Sequence, residues 1–213
     1  VTAPAEAPSA TRCASVVIVN FRSAEVVQTC LSHLFGSDWG GEIEAIVVDN
    51  SPGDGGAEAI AAAFPQVRLL SAGRNLGFGP ANNLGFEHAR GEFAIALNPD
   101  AYVAPDALRL AIEYLDQHPQ VGIVGAQHLS PIGTRHASAR MFPTVLDRIF
   151  VLSGMADRFP RSRLFGRVDN GWWDHSGPRA VDWVVGAFLA MRRRDWLLVG
   201  GFDPRFFLYS EEW

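Results

Sequence analysis

Four stretches of this 213-residue chain carry groups in positions that could do chemistry. Asp100 closes the tripeptide Asn98-Pro99-Asp100, directly after the apolar run Phe93 to Leu97. A carboxylate leaving the end of a buried strand can hold a hard cation of the Mg or Mn kind, which completes its shell with phosphate oxygens. Asn, Pro and Asp also make turns unaided, and taken alone the tripeptide reads more as a turn than as a metal site. Asp49, in VVDNSPGDGG, can accept hydrogen bonds from a ribose or a base edge, or simply start a turn. The loop GRNLGFGPANN, residues 73–83, offers backbone amides and a helix start at Pro80, both favourable to phosphate. Asn82 stands where a third glycine would be needed, so the dinucleotide fingerprint fails and a tight glycine turn is the plainer reading. Glu211 and Glu212 follow the apolar run FFLY. Neighbouring carboxylates raise one another's pKa, and one held against a core could take a proton from a hydroxyl. An exposed acidic chain end is the alternative.

These residues need elements to hold them. SVVIV (Ser15 to Val19), EAIVV (Glu44 to Val48), VRLL (Val67 to Leu70), FAIAL (Phe93 to Leu97) and VGIVG (Val121 to Gly125) read as buried strands. Helical stretches separate them: Ser23 to Phe35, a short Ala-rich piece, one from Pro80 to about Arg90, and one from Pro105 to about His118. Strands and helices alternating in this way predict an α/β fold with a mostly parallel central sheet and helices on both faces. Ligands of such sheets sit at the carboxyl ends of the strands. Polar residues cluster at four of those ends: Asn20; Asp49 and Asn50; Arg74 and Asn75; Asn98 and Asp100.

Composition narrows the function. Apolar residues make up 48% and charged residues 19%, enough for a real core. The net charge of −5 argues against a nucleic-acid partner. All 18 basic residues are Arg, which excludes phosphate-loop, Schiff-base and kinase lysines. Cys13 and Cys30 have no disulfide or zinc spacing and fit a cytoplasmic protein with reduced thiols. Residues 1–13 read as a flexible Ala/Pro lead-in. Between Arg135 and Arg167 arginines outnumber acids, in a region expected to be irregular or built of short helices. That excess predicts contact with the inner face of the plasma membrane, against the plainer reading of solvated surface.

SVVIVNF, AIVVDNSPGDGG, NLGFGPANNLGFEHARGEFAIALNPD and VDWVVGAFLAMRRRDWLLVGGFDPRFFLYSEEW, in that order, resemble the inverting glycosyltransferases of family 2. The rhamnosyltransferase-like branch is the most similar, with its LNPD and GGFDERFFLYxED-type ending. The resemblance runs from about Ser15 to the last residue and is weakest between 130 and 180. It implies a GT-A fold, with a nucleotide-sugar-binding half at 14–127 and an acceptor-side half at 128–213. It also implies a UDP- or dTDP-sugar donor, a glycan or polyprenyl-linked acceptor, and Mg²⁺ or Mn²⁺. Carried over by position, Asn20, Asp49 and Asn50 would line the nucleoside pocket. Arg74 and Asn75 would lie near the base or diphosphate, with Asn83 facing the same cleft. Asp100 and Asn98 would hold the metal, and Glu211 and Glu212 would be the catalytic pair, the second acting as base.

The sequence departs from the family in three places. Asn98 replaces the first Asp of the metal motif, Glu212 replaces an Asp, and family members continue beyond the motif on which this chain ends. A C-terminally truncated acceptor half is therefore expected. Two other functions compete: a non-catalytic nucleotide- or glycan-binding domain, and a sugar-nucleotide pyrophosphorylase, disfavoured by NFRSAE after the first strand and by the absence of Lys.

Overall fold

Bursts of β-branched and small apolar residues form the strands, and each ends where Asn, Asp or Gly interrupts it. The computed structural model describes residues 12–208 and residue 211; the lead-in up to residue 11 and the catalytic candidate Glu212 lie outside the described residues. The first half runs β1 (Cys13–Asn20), α1 (Ala24–Phe35), β2 (Glu42–Asp49), α2 (Gly56–Ala63), β3 (Arg68–Ser71), α3 (Phe78–Glu87), β4 (Phe93–Leu97) and α4 (Ala107–Gln117). Three short strands and a hairpin partner follow: β5 (Ile123–Gly125), β6 (His128–Leu129), β7 (Arg135–His136) and β8 (Ala139–Arg140). The chain then forms α5 (Val145–Leu152), α6 (Met155–Arg158), β9 (Trp183–Val184), β10 (Phe188–Arg192) and α7 (Arg193–Val199). Among the described residues no helix is long and apolar enough to cross a membrane.

The main sheet has the order β3-β2-β1-β4-β10-β5. β1 pairs in parallel with β2 on one side and β4 on the other, and β3 extends the parallel set beyond β2. β10 enters antiparallel between β4 and β5. The sequence pattern predicts the fifth strand but not this insertion, because the run from Trp183 to Met191 has no polar residue and shows no period. β1 also starts earlier than expected, at Cys13, since Cys13 and Ala14 pair with Glu42 and Ile43.

Alternation along the strands splits the core in two. Val16, Ile18, Ile95 and Leu97 pack beneath α1, α2 and α4 through Leu31, Ile60 and Ile112. Val17, Ile46, Ala94 and Ala96 face the opposite layer, made by Ala81 and Phe86 of α3 and Trp196 of α7. At the amino ends of the strands, buried Glu44 accepts from Ser15 Oγ (2.5 Å) and from Arg90 N and Nε (2.8 Å each). Burial alone would raise the Glu44 carboxyl, but these hydrogen bonds outweigh it and hold it below the usual range. Structure is thus secured at one end of the sheet, while the other end is left for ligands.

Candidate active site

The chain winds from β1 towards β3 under α1 and α2, then crosses back over the other face through α3 to reach β4. The carboxyl end of β1 is therefore a topological switch point, where a crevice must open. Asn20 and Asp49 end their strands in register, opposite one another. The Asn20 amide donates to Asp49 Oδ1 (3.4 Å), and its own oxygen accepts from Ser23 N (3.2 Å) and Ser23 Oγ (3.3 Å). Asn20 is fully buried. It orients Asp49 and fixes the entry to α1. Ser23, at the N-cap of α1, makes no side-chain cap hydrogen bond; its Oγ donates to Asn20 Oδ1 instead.

Asn50 is committed in the same way. Its Nδ2 donates to Asn75 Oδ1 (3.0 Å) and to the Gly77 carbonyl (3.2 Å), while its Oδ1 accepts from Leu76 N (2.8 Å). With 2% of its surface exposed it pins the 75–77 loop and presents little to a ligand. Asn75 Oδ1 also receives Gly77 N at 2.9 Å. Gly77 is required here: φ is +84° and an added Cβ would lie 2.0 Å from the Phe207 carbonyl. Arg74 and Asn75 are exposed beside this ordered loop. Asp49 offers one oxygen. Oδ1 takes Asn20 and Ser51 N (3.2 Å), whereas Oδ2 accepts no hydrogen bond among the described residues.

On the other side of β1, Asn98, Pro99 and Asp100 leave the end of β4 as a turn closed by Ala101 N to the Asn98 carbonyl (3.0 Å). Asn98 N is held by the Ala187 carbonyl at 3.0 Å, which ties the turn to the entry of β10. Asp100 is exposed, as a cation ligand must be. Its charge is felt on two sides. Burial pushes the Cys30 thiol up to about 12, and Asp100 adds to the rise. Burial lowers His128, and Asp100 partly offsets that fall. The sequence marks Cys30 only as a reduced thiol, yet its Sγ lies 3.4 Å from the Ala101 carbonyl and 3.7 Å from that of Asn98, donating to the backbone of the turn.

No three His, Cys, Asp or Glu side chains among the described residues converge as a self-sufficient metal cage. One carboxylate and one amide, from Asp100 and Asn98, fit a hard divalent cation whose remaining ligands are phosphate oxygens.

Asn83 has both polar atoms engaged within the chain. Its Nδ2 donates to the Phe202 carbonyl (2.8 Å) and its Oδ1 accepts from Phe202 N (2.9 Å). Phe202 also packs on Trp196 and Phe78, with ring centroids 5.2 and 5.7 Å away, and Trp196 meets Phe86 at 4.6 Å. This aromatic stack docks the tail on α3. Phe78 N then donates to the Phe207 carbonyl (3.0 Å), and Gly79 leaves room for Glu211, whose Cβ lies 3.7 Å from where a side chain on Gly79 would begin. Glu211 is thereby brought to the first turn of α3, next to the 73–77 loop.

The chain is 30% identical over 182 residues to the N-acetylglucosaminyl-diphospho-decaprenol L-rhamnosyltransferase of Mycobacterium tuberculosis, covering 80% of this chain and 58% of that protein. It is 26% identical to the rhamnosyltransferase WbbL of Escherichia coli K12, over 64% of this chain and 51% of the relative. The chain thus spans little more than half the length of these curated relatives. Among solved structures, the mannosyltransferase PcManGT from Pyrobaculum calidifontis, in complex with GDP-Man and Mn²⁺, matches with TM-score 0.61 at 22% identity over 92% of this chain and 49% of its own. S. aureus TarS 1-349 in complex with UDP matches with TM-score 0.59 at 16% identity, over 94% of this chain and 52% of its own. These likenesses identify the fold as GT-A. The pattern of Glycosyl transferase family 2 matches residues 15–197, from the first strand through the last helix. With that match spanning both faces of the sheet and the strand ends that frame the crevice, the chain belongs to glycosyl transferase family 2.

Proposed function

We propose that this chain transfers a sugar, rhamnose or a close analogue, from a UDP- or dTDP-sugar to a hydroxyl of a glycan or polyprenyl-linked acceptor, with inversion, in cell-wall or surface polysaccharide synthesis. One observation carries the reading: Asp49, the 73–77 loop and the Asn98–Asp100 turn all leave the same edge of the sheet, on either side of β1. Asp49 Oδ2 accepts from the ribose or base, and Arg74 with the loop amides faces the diphosphate. Asp100 and Asn98 would hold Mg²⁺ or Mn²⁺, which neutralises charge on the departing diphosphate when bound. Asn20, Asn50 and Asn83 act as positioning residues.

The rest of the reaction belongs to the tail. Glu212 takes the proton from the acceptor hydroxyl, with Glu211 beside it. The freed oxygen attacks the anomeric carbon opposite the leaving group, so configuration inverts. Holding donor and acceptor in line supplies a large part of the rate, up to about 7–11 kcal/mol in well-oriented systems. The M. tuberculosis relative, which acts on an N-acetylglucosaminyl-diphospho-decaprenol, supports a lipid-linked acceptor, and the Mn²⁺ of PcManGT supports the cation. Such an acceptor places the reaction at the inner face of the plasma membrane.

Incubating the chain with dTDP-rhamnose or UDP-sugars, Mn²⁺ and a polyprenyl-diphosphate-linked sugar as acceptor tests the proposal. Release of nucleoside diphosphate together with an inverted anomeric centre, read by NMR, is expected. Retention of configuration would overturn the mechanism, and tight nucleotide binding without turnover would favour a binding domain.

A further inference from the structure

The helix α5 packs inside out. Its one acid, Asp147, points inward with 5% of its surface exposed. There it meets Arg167 Nη2 (2.6 Å) and Thr144 Oγ1 (2.7 Å). Phe150, on the same side, stacks edge-on against Phe165 at 4.8 Å. The opposite face is aliphatic and turned to solvent: Val145 is 81% exposed, Leu146 49%, Ile149 54% and Leu152 87%. Positions 145, 149 and 152 fall on one stripe at helical spacing, so this is a continuous apolar ridge. Water disfavours such a ridge, which calls for an apolar occupant.

The surroundings say which. Arg148 borders the ridge, and Arg158, Arg161 and Arg163 follow within four turns' length of chain. Arg163 and Arg179 stand over the Trp172 ring at 4.7 and 4.4 Å. None of these five arginines forms an ion pair among the described residues, whereas Arg140 and Arg167 are matched to Asp169 and Asp147. From Arg135 to Arg179 the chain has eight arginines against four aspartates, on a protein whose net charge is −5. An aliphatic ridge bordered by Arg148 and followed along the chain by exposed arginines that form no ion pair among the described residues complements a surface that is apolar within and anionic at its rim.

We infer that α5 is a membrane-docking helix: its Val145–Ile149–Leu152 ridge enters the headgroup–acyl boundary of an anionic phospholipid bilayer, with the neighbouring arginines on the lipid phosphates. This deepens the membrane side of the function proposed above, naming the surface responsible. It is tested without donor or acceptor, so its failure and that of the glycosyltransferase reading are separable.

The 213-residue chain is sedimented with phosphatidylcholine vesicles and with the same vesicles carrying phosphatidylglycerol. Binding to the anionic vesicles alone, weakening as salt rises, is expected. Replacing Arg148 and Arg161 by Gln should reduce partitioning by about fivefold for each arginine removed. Ile149→Ser with Leu152→Ser should reduce it at least tenfold. Both changes lie on solvent-facing positions, and far-UV circular dichroism checks that the fold is kept. Equal binding to neutral vesicles, no binding by the parent chain, or unaltered binding by the Ser variant would each overturn the inference. So would sedimentation velocity revealing a dimer that the Ser variant abolishes, since a second copy would then occupy the ridge.

Discussion

Asn83 and Phe202 exchange two hydrogen bonds across 119 residues of chain, at 2.8 and 2.9 Å. Both polar atoms of one side chain are thus used to dock a distant backbone, which leads the chain on to Phe207 and Glu211 beside the start of α3. Asn83→Ala would leave the Phe202 amide and carbonyl without partners, at a cost of about 1–3 kcal/mol. Urea denaturation should register that loss. If Glu211 and Glu212 work in transfer, kcat should fall while the KM for donor changes little. An unchanged urea midpoint would mean the clasp does not hold the tail.

Asp100 is the exposed carboxylate at the end of β4. Asp100→Ala should leave the fold intact and remove the Mn²⁺-dependent part of UDP or dTDP binding. Isothermal titration with and without Mn²⁺ checks this. Equal nucleotide affinity in the parent under both conditions would remove the cation from the site.

Glu212→Gln should bind donor as the parent does and lose transfer. The amide keeps the size of the side chain but accepts no proton. A variant that transfers at the parent rate would move the base elsewhere.

The Cys30 thiol fastens the Asn98–Asp100 turn to α1. With its pKa at about 12 it stays protonated at neutral pH and should resist thiol reagents until the chain unfolds. Cys30→Ala should lower stability by about 1–2 kcal/mol. It should also weaken Mn²⁺-dependent nucleotide binding several-fold, an effect a purely structural cavity would not direct at the cation. Loss of stability with unchanged Mn²⁺ dependence would show that the thiol packs but does not position.

Asp147 beside Arg167 and Thr144 has its carboxyl held down to about 2. A group whose folded pKa lies below its unfolded value of about 3.9 stabilises the protein above that unfolded value. That contribution falls away as pH drops from about 4 towards 2. Urea midpoints measured across this interval should fall more steeply for the parent than for Asp147→Asn. Parallel pH profiles would refute the role assigned to this pair.

The strands β1 to β4 were legible because each is a burst of Val, Ile, Ala or Leu stopped by a polar residue, and the strand ends therefore located the crevice. Side-chain direction was not legible. Asn20, Asn50 and Asn83 have the residue type of a ligand-binding set, yet their amides are engaged inside the protein; residue identity announces hydrogen-bonding capacity but not which partner claims it. Cys30 looked unremarkable because its role depends on a turn 68 to 71 residues away. α5 lies in a region expected only to be irregular or built of short helices, and its apolar spacing is the same whether the stripe faces in or out. β10 was hidden for a further reason: its partners β4 and β5 precede it by some 65 to 95 residues, and its fully buried pattern carries no alternation.

The insertion of β10 makes the two expected halves mutually dependent. A chain cut at residue 127 would end with β4 as a bare rim, its outward amides and carbonyls open to pairing with any passing strand. During synthesis that rim waits until Phe188–Arg192 emerges, so the nucleotide half is completed by a late visitor from the other half and cannot be excised as an independent module.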